Sequence, residues 1–233
     1  VGKSSNNDRK NNRLKTMNTQ IISAGESLDN ATKVLIMVHG RGGTASDILT
    51  LAPHLELDGF ALLAPQASQN TWYPYSFLTE PKKNEPSLSE ALEAVDETVK
   101  HAESAGFKRK NIYFLGFSQG ACLTLEYVTR HATQWGGAVA FTGGLIGDRI
   151  YEENYKGDFG NTPVFIGTSD PDPHVPVERV LSTTAILRKM NASVMEKIYP
   201  FMGHTISGEE LRLANQWVFN PQGREFDGVE VVG

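Results

Sequence analysis

Apolar residues in this chain come in short unbroken runs separated by longer amphipathic stretches. The runs are VLIMV (34–38), FALLA (60–64), IYFLGF (112–117), AVAFT (138–142) and VFIGT (164–168), with Gly or Pro close by. A run that is apolar at nearly every position suits a strand covered on both faces, as in a parallel sheet. SVMEKIY (193–199) alternates less cleanly, yet it falls where another strand is due. Between the runs the period becomes helical. SLSEALEAVDETVKHAE (87–103) places Leu88, Leu92, Val95, Val99 and Ala102 along one face, and Ser87 with Glu90 predicts a capping box. Gln119 opens a helix carrying Leu123, Tyr127 and Val128, and Ser207 with Glu210 predicts a second capping box ahead of Leu211, Ala214 and Trp217. The alternation predicts an open α/β fold, a mostly parallel central sheet with right-handed crossovers and helices on both faces. Residues 66–86 are rich in Pro, Asn and aromatics, and a connection that long is predicted to be functional or disordered.

The length, 233 residues, suits one large α/β domain, and 39% hydrophobic with 21% charged residues supplies a full core. Residues 1–16 are polar and predicted to be disordered, because they bury too little surface to offset chain entropy. The folded domain is expected over 17–233, with Met17 as its natural start. Charge is uneven: the stretch before Met17 carries Lys3, Arg9, Lys10, Arg13 and Lys15 against Asp8, a net +4, which leaves −9 on the remainder of a chain of net −5. An acidic body is a poor nucleic-acid surface, since phosphates need clustered Lys and Arg. The single cysteine, Cys122, precludes an intrachain disulfide and fits a reducing compartment. No apolar run approaches the roughly 18 residues of a membrane span, so no integral membrane association is expected. The N-terminal stretch has no apolar signal-peptide core, and a cytoplasmic location is expected.

One polar residue interrupts the core pattern. Gly116-Phe117-Ser118-Gln119-Gly120 sets a serine at the bend between a predicted central strand and a predicted helix, matching G-x-S-x-G. Ligands in open α/β sheets bind beyond the carboxyl ends of the strands, and the helix amides there favour developing negative charge. Such a serine can also be a mere helix cap. A nucleophilic serine needs a base, and there are six histidines. His101 and His131 fall in or at the end of helices, and His54 at a helix end. His39 precedes Ser118, whereas in this type of site the order runs serine, acid, histidine. His204, in the loop after the last predicted strand, satisfies both order and topology. The acid is Asp170 or Asp172 of SDPDPHVP, and spacing does not choose between them; a turn, or a metal site with His174, are the other readings of that stretch. Two amides must stabilise the oxyanion, one on Gln119 and one from HGRGG (39–43). Cys122, one helical turn past the bend, is read as a small core residue.

VHGRGG, LLAPQA, LGFSQGAC, FTGGL, DPHVP and GHTIS occur in an order that resembles the phospholipase/carboxylesterase family of α/β-hydrolases, which includes acyl-protein thioesterases, over roughly 33–219. The resemblance implies an α/β-hydrolase fold, with Ser118 as nucleophile, His204 as base, Asp172 as the acid, and the amides of Arg41 and Gln119 as the oxyanion hole. Arg-Gly-Gly after the His-Gly pair, together with TWYPYSF (71–77), resembles the carboxylesterase branch more than the thioesterase branch. Trp72 and Tyr73 then fall where the loop should wall the substrate pocket, or else they pack the loop onto the core. The implied activity is hydrolysis of small to medium carboxylic esters through an acyl-enzyme, with no metal or organic cofactor, a small-molecule ester as the partner, and a homodimer left open. Acyl-thioesterase or lysophospholipase activity is the alternative, and a non-catalytic binding protein with this fold a second one.

Overall fold

The computed structural model describes residues 19–220; the segment 1–16 and both ends of the expected 17–233 domain lie outside the described residues. Seven strands build one sheet: β1 (Ile21–Gly25), β2 (Lys33–Val38), β3 (Phe60–Pro65), β4 (Ile112–Phe117), β5 (Gly137–Phe141), β6 (Pro163–Asp170) and β7 (Ser193–Pro200). Their order is β1-β3-β2-β4-β5-β6-β7, so β4 is central. Every pairing is parallel except that of β1, which runs antiparallel to β3 along the edge. The five apolar runs and SVMEKIY all become strands in this sheet.

Successive side chains of a strand point to opposite faces, and here both faces are covered. Val34, Ile36 and Val38 pack with Phe114, Ala140 and Ile166 beneath α2 (Ser87–Ser104), α3 (Gln119–Arg130) and α4 (Val177–Lys189). Leu35, Met37, Leu115, Val139, Phe141 and Phe165 face the other way, beneath α1 (Ala45–Leu49), α5 (Gly208–Ala214) and the π-turn Asn215–Phe219 that continues α5. Burying one such side chain fully contributes about 1.5–3 kcal/mol. The unbroken runs therefore reflect two cores sharing one sheet.

The helix face predicted for α2 is present, with Leu88, Val95, Val99 and Ala102 buried. Its predicted capping box is not. Pro86 occupies the cap position, so Ser87 lies inside the first turn and makes no cap bond. Glu85 serves from outside instead, its carboxylate accepting from the Ser89 amide at 3.1 Å and the Ser89 hydroxyl at 2.9 Å. The box at Ser207 and Glu210 forms on both sides. Ala214 is buried, with Leu211 and Trp217 packed against the second core. The strand β1 has no counterpart among the predicted elements: it is a half-exposed edge strand, and its IISAG sequence lacks an apolar run of core length.

The long connection 66–86 is ordered. It contains two short 3-10 turns, Ser68–Asn70 and Pro81–Asn84. Asn84, fully buried, accepts from the Tyr75 amide at 2.8 Å and donates to the Ser76 carbonyl at 3.1 Å. These bonds fold the connection back on itself over the carboxyl edge of the sheet.

Candidate active site

Ser118 sits between β4 and α3 with φ 54° and ψ −118°, a left-handed conformation that L-residues rarely adopt. The bend is this sharp because the chain crosses itself at two glycines. A Cβ on Gly116 would collide with the Gly120 carbonyl, and one on Gly120 with the Val38 carbonyl. The Ser118 amide is tied to the Phe141 carbonyl at 2.9 Å, which anchors the turn to the neighbouring strand β5.

The loops that follow β6 and β7 bring Asp172 and His204, respectively, to this bend. His204 Nε2 lies 2.8 Å from Ser118 Oγ, and its Nδ1 lies 2.8 Å from Asp172 Oδ2. The Asp172 side chain is fully shielded from solvent and that of His204 is 20% exposed. The other carboxylate oxygen of Asp172 accepts from the amides of His174 at 2.8 Å and Val175 at 2.9 Å. Burial opposes ionisation of Asp172, but these amides and His204 outweigh it and hold the carboxyl below the ordinary aspartate range. The structure thus separates the two aspartates. Asp170 ends β6 with an exposed side chain and uses its carbonyl to accept from the Phe201 amide at 3.0 Å. That bond and one from the Gly203 amide to Ser169 Oγ, at 2.9 Å, fasten the His204 loop to the end of β6.

Gly40, next to Arg41, closes on the elbow: a Cβ there would stand 3.5 Å from Ser118 Cβ. Among the described residues no acceptor is seen for the Arg41 amide, and the Gln119 amide, in the first turn of α3, has none within its helix. His39, buried at the end of β2, does not reach Ser118. Its Nε2 accepts from the Ala67 amide at 3.1 Å and its Nδ1 faces the Gly40 carbonyl at 2.8 Å, which assigns the proton to Nδ1. Burial lowers its pKa, against the opposing effects of the Gly40 carbonyl and Asp47. His101 is exposed on α2 and His131 caps α3, stacked on Tyr127. His54 lies in a 3-10 turn.

A cavity of about 740 Å³ opens over Ser118, Gln119 and His204, bounded by Arg41, Tyr73–Leu78 and Asp172–Pro176. Tyr73 borders it and is itself almost wholly buried. Trp72 does not border it: its ring packs tilted on His39, 4.9 Å between centroids, and its Nε1 donates to the His39 carbonyl at 2.8 Å. Of the two readings the sequence left open for Trp72, this geometry is that of a residue packing the loop onto the core. Cys122 borders the cavity but is buried, and burial pushes its thiol up to about 12, so it stays protonated. His174 stands edge-on to His204 at 4.9 Å. Sequence reasoning missed the cavity contributions of Tyr75, Phe77, Leu78 and Val175; the aromatic cluster was visible, but which of its members turn inward depends on Asn84 and Arg41. Among the described residues, no group of three or more His, Cys, Asp or Glu is arranged to hold a metal ion, and no helix is long and apolar enough to cross a membrane.

The arrangement offers a hydroxyl, an imidazole and a carboxylate in one hydrogen-bonded line, beside two amides and a cavity that opens to solvent. Known proteins resemble this chain in sequence and, where solved, in architecture. A solved phospholipase/carboxylesterase from Dyadobacter fermentans is 53% identical, covering 86% of this chain and 96% of its own, with a TM-score of 0.85. A probable SOBER1-like carboxylesterase of Arabidopsis thaliana is 28% identical over 87% of this chain and 85% of its own length. Acyl-protein thioesterase 1 of Saccharomyces cerevisiae is 27% identical over 78% and 89% respectively. The family model described as Phospholipase/Carboxylesterase matches residues 18–219. With that match spanning both cores and every residue of the site, the chain belongs to the phospholipase/carboxylesterase family of α/β-hydrolases.

Proposed function

We propose that this chain is a serine carboxylesterase that hydrolyses small to medium carboxylic esters through an acyl-enzyme. The observation that carries the reading is the unbroken line Asp172–His204–Ser118, with 2.8 Å at each link. Neutral His204, protonated on Nδ1 toward Asp172, accepts the Ser118 proton at Nε2 as Oγ attacks the ester carbonyl. Asp172 stabilises the imidazolium that results. The carbonyl oxygen, now an oxyanion, takes hydrogen bonds from the Arg41 and Gln119 amides, an interaction worth a few kcal/mol in the transition state. The tetrahedral intermediate collapses, the alcohol leaves with the proton from His204, and water repeats the sequence on the acyl-enzyme. None of these steps calls on a metal, so a chelator should leave turnover unchanged.

The size and lining of the cavity support the substrate class. Pro74, Phe77, Leu78, Val175 and Pro176 offer apolar surface, and its about 740 Å³ suits an ester of modest length. A panel of p-nitrophenyl esters, acyl-thioesters and lysophospholipids, run on the wild type and on Ser118→Ala, tests the reading. Turnover of short and medium esters that is lost in Ser118→Ala supports it. Preference for the thioesters or lysophospholipids would move the chain to the other activities of its family, and absence of any turnover would favour a binding protein.

A further inference from the structure

Both residues assigned to the oxyanion hole grip the same loop with their side chains. Arg41 Nη1 donates to Thr71 Oγ1 at 3.1 Å and to the Pro74 carbonyl at 2.9 Å, and its Nη2 donates to the Tyr75 carbonyl at 2.9 Å. Gln119 Oε1 accepts from the Trp72 amide at 3.0 Å and from the Thr71 hydroxyl at 3.3 Å, while its Nε2 donates to the Tyr73 carbonyl at 2.8 Å. Two further ties complete the set. Trp72 Nε1 reaches the His39 carbonyl at 2.8 Å, and the Gly42 amide reaches the Asn70 carbonyl at 2.7 Å. Most of these bonds end on main-chain atoms of residues 70–75, so they fix the path of the loop rather than one side chain. Residues 39–42, residues 70–75 and the elbow are one hydrogen-bonded body.

We propose that the Arg41 and Gln119 side chains, with Trp72, are positioning residues, and that the 70–75 loop is a brace holding both oxyanion amides in register with Ser118. A guanidinium supplies a planar, rigid fork, well suited to fixing two carbonyls at once. Amide donors act only when aimed at the place where the oxyanion develops, so a displacement of about 1 Å can cost on the order of 100-fold in rate. The same loop runs on into the cavity wall at Tyr73–Leu78. Substrate that packs against that wall therefore loads the brace, and its binding is felt in kcat as well as in KM.

The chemical assay rests on the esterase reading above, so the test adds two measurements that do not. Arg41→Met, Arg41→Lys, Trp72→Phe and the Arg41→Met/Trp72→Phe pair are compared with wild type. The readouts are kcat and KM on p-nitrophenyl esters of increasing chain length, the labelling rate with a small fluorophosphonate, and amide exchange over residues 38–45. Each of Arg41→Met and Trp72→Phe should lower kcat by about 10- to 100-fold at every chain length, with KM changed by less than about twofold. The pair should lose less than the product of the single losses, Arg41→Lys should recover part of the rate, and exchange over 38–45 should quicken while the thermal midpoint stays near that of wild type. A raised KM with unchanged kcat would make Arg41 a substrate contact and overturn the brace. So would a strictly multiplicative pair, or rate losses that follow only a loss of folded protein. Should wild type turn over no ester, the proposed function fails on its own, and unchanged labelling and exchange in Arg41→Met would still sink the brace.

Discussion

Ser118 occupies backbone angles that cost on the order of 1–3 kcal/mol in an L-residue, and the chain around it is built to hold them. The Phe141 carbonyl restrains its amide, and Gly116 and Gly120 lie too close to other backbone for any side chain. Gly120→Ala should therefore do more than overpack a core site, which itself costs about 1–3 kcal/mol; the expected outcome is a marked fall in the urea midpoint together with lost activity. Ser118→Ala keeps the fold and should remove about a million-fold in kcat, read by ester hydrolysis and by loss of fluorophosphonate labelling. The two aspartates are predicted to separate sharply. Asp172→Asn should cost about ten-thousand-fold, the scale for a triad aspartate. Asp170→Asn should cost little, because Asp170 contributes its carbonyl rather than its carboxylate. Equal losses at the two positions would contradict the geometry.

Among the elements, the helix starts differ in how they are secured. At α5 the Ser207 hydroxyl accepts from the Glu210 amide at 3.2 Å, and the Glu210 carboxylate returns to the Ser207 amide at 2.7 Å. Glu210 is fully buried, and the bonds from Ser207 fall on Oε2 alone, leaving Oε1 without a hydrogen-bond partner among the described residues; burial drives this carboxyl above its ordinary pKa. Ser207→Ala should destabilise by about 1–2 kcal/mol, at the upper end for a cap. Ser87→Ala should fall within about 0.5 kcal/mol of wild type, because Ser87 caps nothing and alanine is the better helix former. Paired urea titrations of the two variants decide it. The sequence S-x-x-E is the same at both sites; Pro86 makes the difference by moving the first turn one residue earlier.

Acid sensitivity belongs to the molecule as a whole. His39 has a pKa lowered from 6.5 because burial disfavours its charged form, and its Nε2 accepts from the Ala67 amide, a bond that protonation would break. The unfolded chain therefore binds this proton at higher pH than the folded one. The stability is complete above about pH 6.5 and is lost as the pH falls from there toward the folded pKa. His131, also lowered by burial, adds to the same window. Asp172, lowered from 3.8, contributes stability above that value and loses it as the pH falls through its folded pKa. Urea midpoints should thus decline in two stages, the first below about pH 6.5 and the second below about pH 4. His39→Gln keeps an acceptor for Ala67 without a titrating ring and should flatten the first stage, leaving the second in place. An unchanged first stage would show that His39 is not its source.

What the sequence determined by itself was whatever local pattern encodes. Runs apolar at both parities required strands buried on both faces, which required a parallel sheet between helix layers; the glycines around Ser118 marked a bend where the backbone crosses itself. A serine, an acid and a histidine in the loops after β4, β6 and β7 were the expectation that this topology and chain order raised. The edge strand β1 escaped because half-exposed strands need no apolar run. The Ser87 cap was misread because a motif does not state where its helix begins. Spacing left Asp170 and Asp172 open and the resemblance of DPHVP implied Asp172; the tertiary structure sets the Asp172 carboxylate against His204, because two residues of offset in a Pro-rich turn decide which carboxylate faces it. Likewise it turned Trp72 toward His39 and Tyr73 toward the cavity, and it joined Arg41 to carbonyls more than thirty residues away. Hydrogen bonds between distant backbone segments leave no periodicity in a sequence. They exist only once packing has brought the loops together.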